Sequence, residues 1–353
     1  MLLHKLPRRA LLAITGTDAR LFLDALITCG TTYLRKDPTL AYTGTATTSM
    51  GDFDATTLKH CVYGVLLTET GRVMYDLFLH AGTPLIERQV GRDGVLLECS
   101  QRAVEHLSIV LRRSIQHADV QVNSVPNGTF AVAATFAEDH ADMHVDDETL
   151  ANAGLSRDPR LPLAAGRGIV PAHHLDSAES FLDSTGYRAW RYAQGLPCGP
   201  LEMRPGVITP VASNVANHYG CLRKPTKYSY PGAEAVADEI ARESTREGFL
   251  NSKRIVPVRI NGLGANGAMG GDDLVIERGA GAGANLAGRL IAADEGRGLA
   301  LMRVRDAIRA SAHGSTPLHS VVGAKVRWSD ADASVAYEIV PSIPSWWPEV
   351  PKE

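Results

Sequence analysis

The chain has 353 residues, 44% of them hydrophobic, and a formal net charge of −3. It is long enough to bury one large core or two to three modest ones, and it carries no basic field that would draw a polyanion. No uninterrupted apolar run reaches the ~20 residues that a helix needs to cross a bilayer, and no positive-apolar-small cleavage pattern opens the chain.

The first residues carry Lys5, Arg8 and Arg9 with no acid before Asp18. This basic stretch reads either as the flank of a first strand, Ala10 to Ile14, or as part of a mitochondrial presequence. Gly16-Thr17-Asp18 then precedes Ala19, Phe22, Leu23, Leu26 and Ile27, the spacing of an amphipathic helix behind a Thr cap. Val62 to Leu67 and Val73 to Leu79 flank Thr70-Gly71 and predict a hairpin. Val95 to Cys99 predicts another strand. Ala103, Leu107, Val110 and Leu111 return to helical spacing, and Val120 to Val122 is extended.

From about 123 to 165 the chain turns acidic and polar, with Glu138, Asp139, Asp142, Asp146, Asp147 and Glu148, and ends in Arg157-Asp158-Pro159-Arg160. Blocks of like charge are usually solvated, so a surface loop is expected here. Beyond Arg254, six short strand-like runs alternate with Gly-rich turns: Ile255 to Ile260, Asp273 to Glu277, Leu286 to Ala292, Gly298 to Val304, Ala324 to Trp328 and Val335 to Val340. They predict a small β-barrel or sandwich. The overall class is α+β.

Several motif matches carry little. Gly262-Leu263-Gly264-Ala265-Asn266-Gly267 fits the dinucleotide fingerprint, but a strand-like run follows it where a helix N-terminus is needed, and Gly279 to Gly283 are likewise read as turn glycines. His173-His174 has no third ligand at a short spacing and is read as surface. The five cysteines are odd in number and never closer than 23 residues. They form neither a disulfide framework nor a metal clip, and a reducing compartment is expected. No metal site is expected.

A series of ordered segments carries more. The stretch from Arg9 to Ala19 with Phe22, Leu23 and Thr28, the turn-strand Gly71-Arg72-Val73-Met74-Tyr75-Asp76, and Tyr187, Arg188, Arg191, Gly195, Pro197 and Gly199 come first. Pro210, Asn214, Gly298-Leu299-Ala300-Leu301 and Ile343-Pro344-Ser345-Trp346-Trp347-Pro348 follow. In this order they resemble the YgfZ-like iron-sulfur assembly branch of the folate-dependent aminomethyltransferase superfamily, and the closing segment resembles its mitochondrial members.

The resemblance implies a three-part ring around a central folate-sized cavity with a C-terminal β-barrel, divided near 1–122, 123–253 and 254–353. It also implies a tetrahydrofolate cavity and motif loop drawn from Asp76, Arg188, Asn214, Tyr230, Gly232 and Glu234. Asp76 would act there as a general base or amine-orienting carboxylate, or serve only as a structural acceptor at a strand end.

The chain departs from the family signature Lys-Gly-Cys-Tyr-x-Gly-Gln-Glu. Counted from Asn214, the cysteine position falls on Ser229; counted back from Lys253-Arg254, it falls on Glu234. Cys221 lies nearby. Ala212 stands where the family usually has an acid, a group that can accept paired N–H bonds from a pterin. Thiol chemistry and folate binding are both weakened. The resemblance therefore implies a mitochondrial-matrix factor for four-iron four-sulfur maturation that uses its cavity and loop surface rather than covalent chemistry and works with iron-sulfur assembly proteins. The alternatives are a structural subunit of a large mitochondrial complex such as the mitoribosome, and a tetrahydrofolate-dependent one-carbon transferase.

Overall fold

The computed structural model describes residues 3–31, 34, 60–136, 147–161, 165–176, 181–182, 184–218, 221–223, 230–261, 273–277, 285–294, 296–311, 325–329, 336–344 and 346–351. The acidic residues 138, 139, 142 and 146, both glycine-rich runs and Ser229 lie outside them. Two compact units emerge: one of residues 1–187, 198–210 and 215–237, the other of 188–197, 211–214 and 238–353.

The first unit opens with β1 (Leu3–Lys5), β2 (Arg9–Thr15) and helix α1 (Ala19–Leu26). Strands β3 (Cys61–Leu67) and β4 (Val73–His80) form the expected hairpin. Helix α2 (Pro84–Val90), β5 (Val95–Ser100), α3 (Val104–Ser114) and β6 (Gln121–Ser124) follow. These five later strands make one antiparallel sheet in the order β3-β4-β5-β2-β6.

A second sheet is built from β1 together with β7 (Phe130–Phe136), β8 (Ser156–Arg157), β9 (Ala165–Pro171) and β10 (Phe181–Leu182), in the order β10-β1-β7-β9-β8. Between them in sequence lie α4 (Asp147–Asn152) and α5 (Ala172–Asp176). The region 123–165 is thus not all surface loop: β7 is the central strand of this sheet, and Arg157, Asp158 and Arg160 are buried. The acidic composition of the region concealed the apolar run Phe130–Phe136.

The cap of α1 also differs from expectation. Thr17 does not cap the helix; its N–H and hydroxyl both donate to Asp119 Oδ2, at 3.1 and 3.0 Å, and Asp119 N–H donates to Asp18 Oδ2 at 2.9 Å. A partner over a hundred residues away outcompetes the local cap.

Helices α6 (Ser184–Ala193) and α7 (Gly199–Glu202) precede α8 (Ala233–Glu243) and α9 (Arg246–Asn251). His173 and His174 project from α5 and are exposed. In the second unit, strands β11 (Lys253–Asn261), β12 (Asp273–Glu277), β13 (Asn285–Asp294), β14 (Arg297–Arg303), β15 (Lys325–Ser329) and β16 (Ala336–Pro341) pair in the order β11-β14-β13-β12-β15-β16. Strand β16 returns to β11, so the ladder closes into a six-stranded barrel with no free edge. Helix α10 (Val304–Ser311) leaves β14. No helix among the described residues is long and apolar enough to cross a membrane.

Candidate functional site

Side chains alternate between the two faces of a strand. On β4, Tyr75, Leu77 and Leu79 join the apolar core shared with α1 and α3, where Leu12, Ile14, Leu97 and Cys99 also lie. Asp76, Phe78 and His80 therefore occupy the opposite face. Register carries that face across the sheet: Tyr63 of β3 stands opposite Phe78, Phe78 opposite Glu98 of β5, and Glu98 opposite Leu11 of β2, two residues after Arg9.

This second face meets the β1-β7-β9 sheet through charges. Glu98, fully buried, accepts two bonds from Arg167 of β9, Nε to Oε2 at 3.0 Å and Nη2 to Oε1 at 2.5 Å. Arg9 Nε donates to Oε1 at 2.5 Å and His80 Nε2 to Oε2 at 3.0 Å. Four donors on one carboxylate make a paired buried charge, the form in which burial of an ion is tolerated.

Alongside, Arg160 grips Asp158 through Nε to Oδ1 at 3.0 Å and Nη2 to Oδ2 at 2.7 Å. The Tyr187 hydroxyl accepts from both Arg160 Nη2 and Arg167 Nη1 at 2.8 Å. The guanidinium carbons of Arg167, Arg160 and Arg9 stand 3.9, 4.8 and 5.7 Å from the centre of the Phe78 ring. The negative face of the ring suits them there. Three guanidinium groups and the carboxyl groups of Asp76, Glu98 and Asp158 thus surround one phenyl ring.

The electrostatics fix protonation at two places. Burial opposes the charge on Glu98, but Arg167, Arg9 and the His80 hydrogen bond outweigh it and hold the carboxyl well below its usual range. His218, which packs edge-on to Tyr63 at 6.2 Å, is pushed down to about 3, chiefly by burial and then by the Arg160 charge. Near neutrality neither group changes its protonation. A general acid or base works best with a pKa close to the operating pH, so both are positioning groups.

Asp76 sits at the edge of this network. Its Oδ1 accepts the Gly199 N–H at 3.0 Å, and Oδ2 lies 3.5 Å from Arg9 Nη1. Gly199 has a φ of 75°, a left-handed conformation that a side chain would strain. Arg9 Nη1 also donates to the sulfur of Cys198 at 3.3 Å, and the Cys198 N–H donates to Glu202 Oε2 at 2.6 Å. Among the described residues, Asp76 Oδ2, Arg9 Nη2 and Arg160 Nη1 are buried with no hydrogen-bond partner. Buried polar atoms are normally satisfied, so these three mark unused binding capacity.

The other anticipated residues have their own partners. Tyr230 is buried in the core formed with Cys61, Tyr63, Val65 and Val236. Gly232 has a φ of 76° and packs on the β3-β4 turn, where a Cβ would come within 2.5 Å of the Thr68 carbonyl. Glu234 is exposed in the first turn of α8, a place that favours an acid.

In the barrel unit, Asn214, at a φ of 65°, donates Nδ2–H to the Ile255 carbonyl at 2.7 Å and accepts from Arg254 Nη1 at 3.4 Å. The Ala212 carbonyl accepts Ile255 N–H at 2.7 Å. Arg188 pairs with Asp294 of β13 through Nε at 2.5 Å. Trp346 donates Nε1–H to the Gln194 carbonyl at 3.2 Å, and Trp347 lies beside the buried Arg254. These contacts give the Trp-Trp ending and Asn214 a structural role within that unit. Cys221 is fully buried, its thiol pushed well up by burial. No three His, Cys, Asp or Glu side chains among the described residues group as a metal site.

Of the residues in this layer only Asp76 is marked by the sequence; Arg9, Glu98, Asp158, Arg160, Arg167 and Cys198 become site residues only in the fold. One signal was present: Glu98 interrupts the apolar run Val95-Leu96-Leu97, and an acid inside a strand buried on both faces needs a cationic partner.

Two sheets facing across a charged layer, with a barrel built from the C-terminal strands, define an aminomethyltransferase fold. The glycine cleavage system aminomethyltransferase T from Bartonella henselae matches with a TM-score of 0.58 over 97% of this chain and 85% of that one, at 14% identity. Sequence comparison then gives the particular relatives, which are iron-sulfur cluster assembly factors. The mitochondrial iron-sulfur cluster assembly factor IBA57 of Homo sapiens is 29% identical over 366 residues, spanning 99% of this chain and 86% of its own. The Mus musculus protein is 28% identical over 363 residues with the same coverage. The mitochondrial IBA57 homolog of Phaeosphaeria nodorum is 26% identical over 268 residues, 74% of this chain and 56% of its own. No protein-family model matches the chain.

Proposed function

We propose that this chain is a mitochondrial-matrix assembly factor that helps to mature four-iron four-sulfur proteins and acts by binding rather than by covalent catalysis. The observation that carries the reading is the end-to-end similarity to the human and mouse assembly factors, which spans 99% of this chain. The charged layer supports it. Glu98 stays ionised and His218 neutral around pH 7, so these groups hold a buried charged layer together instead of relaying protons. The same proposal includes the three-part ring and central cavity that the resemblance implies, with partners among iron-sulfur assembly proteins.

Depletion of the protein tests this. Aconitase activity and protein lipoylation should both fall, and unchanged values in depleted cells, with folded protein confirmed in the parent, would overturn the reading. Co-sedimentation of the protein with a ribosomal or respiratory particle at high salt would instead assign it to a resident-subunit role.

A second reading, weak folate binding, is favoured by Asp76. With Oδ1 taken by the Gly199 N–H, Oδ2 accepts no hydrogen bond and keeps acceptor capacity for one N–H of a pterin. The resemblance implies a second acceptor for the pterin at position 212, where this chain has only the methyl side chain of Ala212. Calorimetric titration with tetrahydrofolate should show saturable binding that Asp76→Ala abolishes; absence of binding at high ligand concentration removes the folate reading and leaves the assembly role standing.

A further inference from the structure

The five thiols differ sharply in environment. Cys29, Cys61, Cys99 and Cys221 are buried with essentially no exposure. Burial pushes Cys29 and Cys99 up to about 12 and raises Cys61 and Cys221 strongly. A buried thiol held in its protonated form is inert as a nucleophile. Cys198 alone of the five is partly exposed. It is also the thiol in contact with a guanidinium, since Arg9 Nη1 donates to Sγ at 3.3 Å.

A second feature points to a ligand at the same place. The guanidinium that touches Sγ has its other terminal nitrogen, Nη2, buried and without a hydrogen-bond partner, and so is Asp76 Oδ2, 3.5 Å from Nη1. Both side chains are more than nine-tenths buried. Around the guanidinium that touches the sulfur there is thus one NH2 group without an acceptor and one carboxyl oxygen that accepts no hydrogen bond. A carboxylate and an amine on the same small molecule supply that pair.

We propose that Cys198 is a thiol–disulfide exchange site for low-molecular-weight disulfides of the amino-acid or short-peptide class, recognised through Arg9 and Asp76. The Cys198 sulfur attacks one sulfur of the disulfide R–S–S–R. A new S–S bond joins Cys198 to RS, the old S–S bond breaks, and the departing RS⁻ takes up the proton that the Cys198 thiol gave up. The incoming disulfide is itself the oxidant, and a second RSH reverses the reaction by the same exchange. The proposal is independent of the assembly reading, because it concerns which thiol reacts and with what.

The test uses the folded full-length chain and two probes, cystine and bis(2-hydroxyethyl) disulfide, which share the reacting bond but differ in the carboxylate and amine. Adduct formation is followed by intact mass and located by peptide mapping, and each rate is divided by the rate with free cysteine to remove intrinsic reactivity. A single adduct on Cys198 is expected, absent in Cys198→Ser. The normalised cystine rate should exceed the neutral-probe rate by about tenfold, the scale of one charge-assisted hydrogen bond. No adduct, an adduct on a different cysteine, or equal normalised rates would each overturn the proposal. All three outcomes are read on wild-type protein and do not depend on a variant that folds.

Discussion

The two faces of the β3-β4-β5-β2-β6 sheet are made by the same strands, one residue apart, yet they solve opposite problems. One carries Leu12, Ile14, Leu77, Leu79 and Leu97 against α1 and α3 and is held chiefly by apolar contact. The other carries Arg9, Asp76, His80 and Glu98 against Arg160 and Arg167 and is held by buried ion pairs. Apolar packing degrades gradually as methylene groups are lost. A buried ion network fails abruptly, because removing one partner strands the other charge.

The largest effect should follow from breaking the charged face. Glu98→Gln removes the negative charge that Arg9, Arg167 and His80 share, and is expected to destabilise by about 3–5 kcal/mol, the range for an uncompensated buried charge. Denaturant unfolding at pH 7 measures it. Leu97→Ala, one residue earlier and on the apolar face, should cost about 2–4 kcal/mol through transfer and cavity terms. Its cost should be insensitive to pH, whereas that of Glu98→Gln should shrink in acid. The sign follows from linkage: the folded carboxyl lies well below its unfolded value of about 4.3. Its contribution is therefore complete above that pH and is lost as pH falls toward the folded value. Equal pH profiles for the two variants would show that the faces do not differ in this way.

The comparison also explains what could be read in advance. The hairpin around Gly71, helix α1 and all six barrel strands were legible because each rests on local periodicity and turn chemistry. The polar face was not. Arg9 and Glu98 are separated by 89 positions and Glu98 and Arg167 by 69, so no local pattern announces their pairing. Strands buried on both faces read as continuous apolar runs, which hides the alternation that separates site from core. Asp158 and Arg160 look like loop polar residues in sequence, and only the sheet that contains β9 makes them interior. Asp76 was found through family resemblance, not through any spacing of its own.

A smaller effect should come from the neutral His218. Its folded pKa of about 3 lies below the unfolded value near 6.5, so the unfolded chain takes up a proton first as pH falls. Stability associated with this group is full above about pH 6.5 and declines below it, by at most about 1.4 kcal/mol per pH unit. His218→Phe should flatten the stability profile between about pH 6.5 and pH 4. Leu97→Ala should leave that slope intact, and an unchanged slope in His218→Phe would mean that the imidazole is hydrated rather than buried.

The smallest expected effect is outside both faces, at the Arg188–Asp294 pair of the barrel unit. Arg188 keeps nearly a third of its side chain exposed, so solvent screening limits the pair to about 0.5–1 kcal/mol. A double-mutant cycle of Arg188→Ala and Asp294→Ala measures the coupling directly, and high salt should reduce it. A coupling near zero, with tetrahydrofolate binding nevertheless weakened in Arg188→Ala, would move Arg188 from the barrel's own structure to the ligand cavity that the family resemblance implies. A measurable coupling with ligand binding unaltered would leave it a surface pin, energetically unlike Glu98 although both are ion pairs, because solvent access decides what a pair is worth.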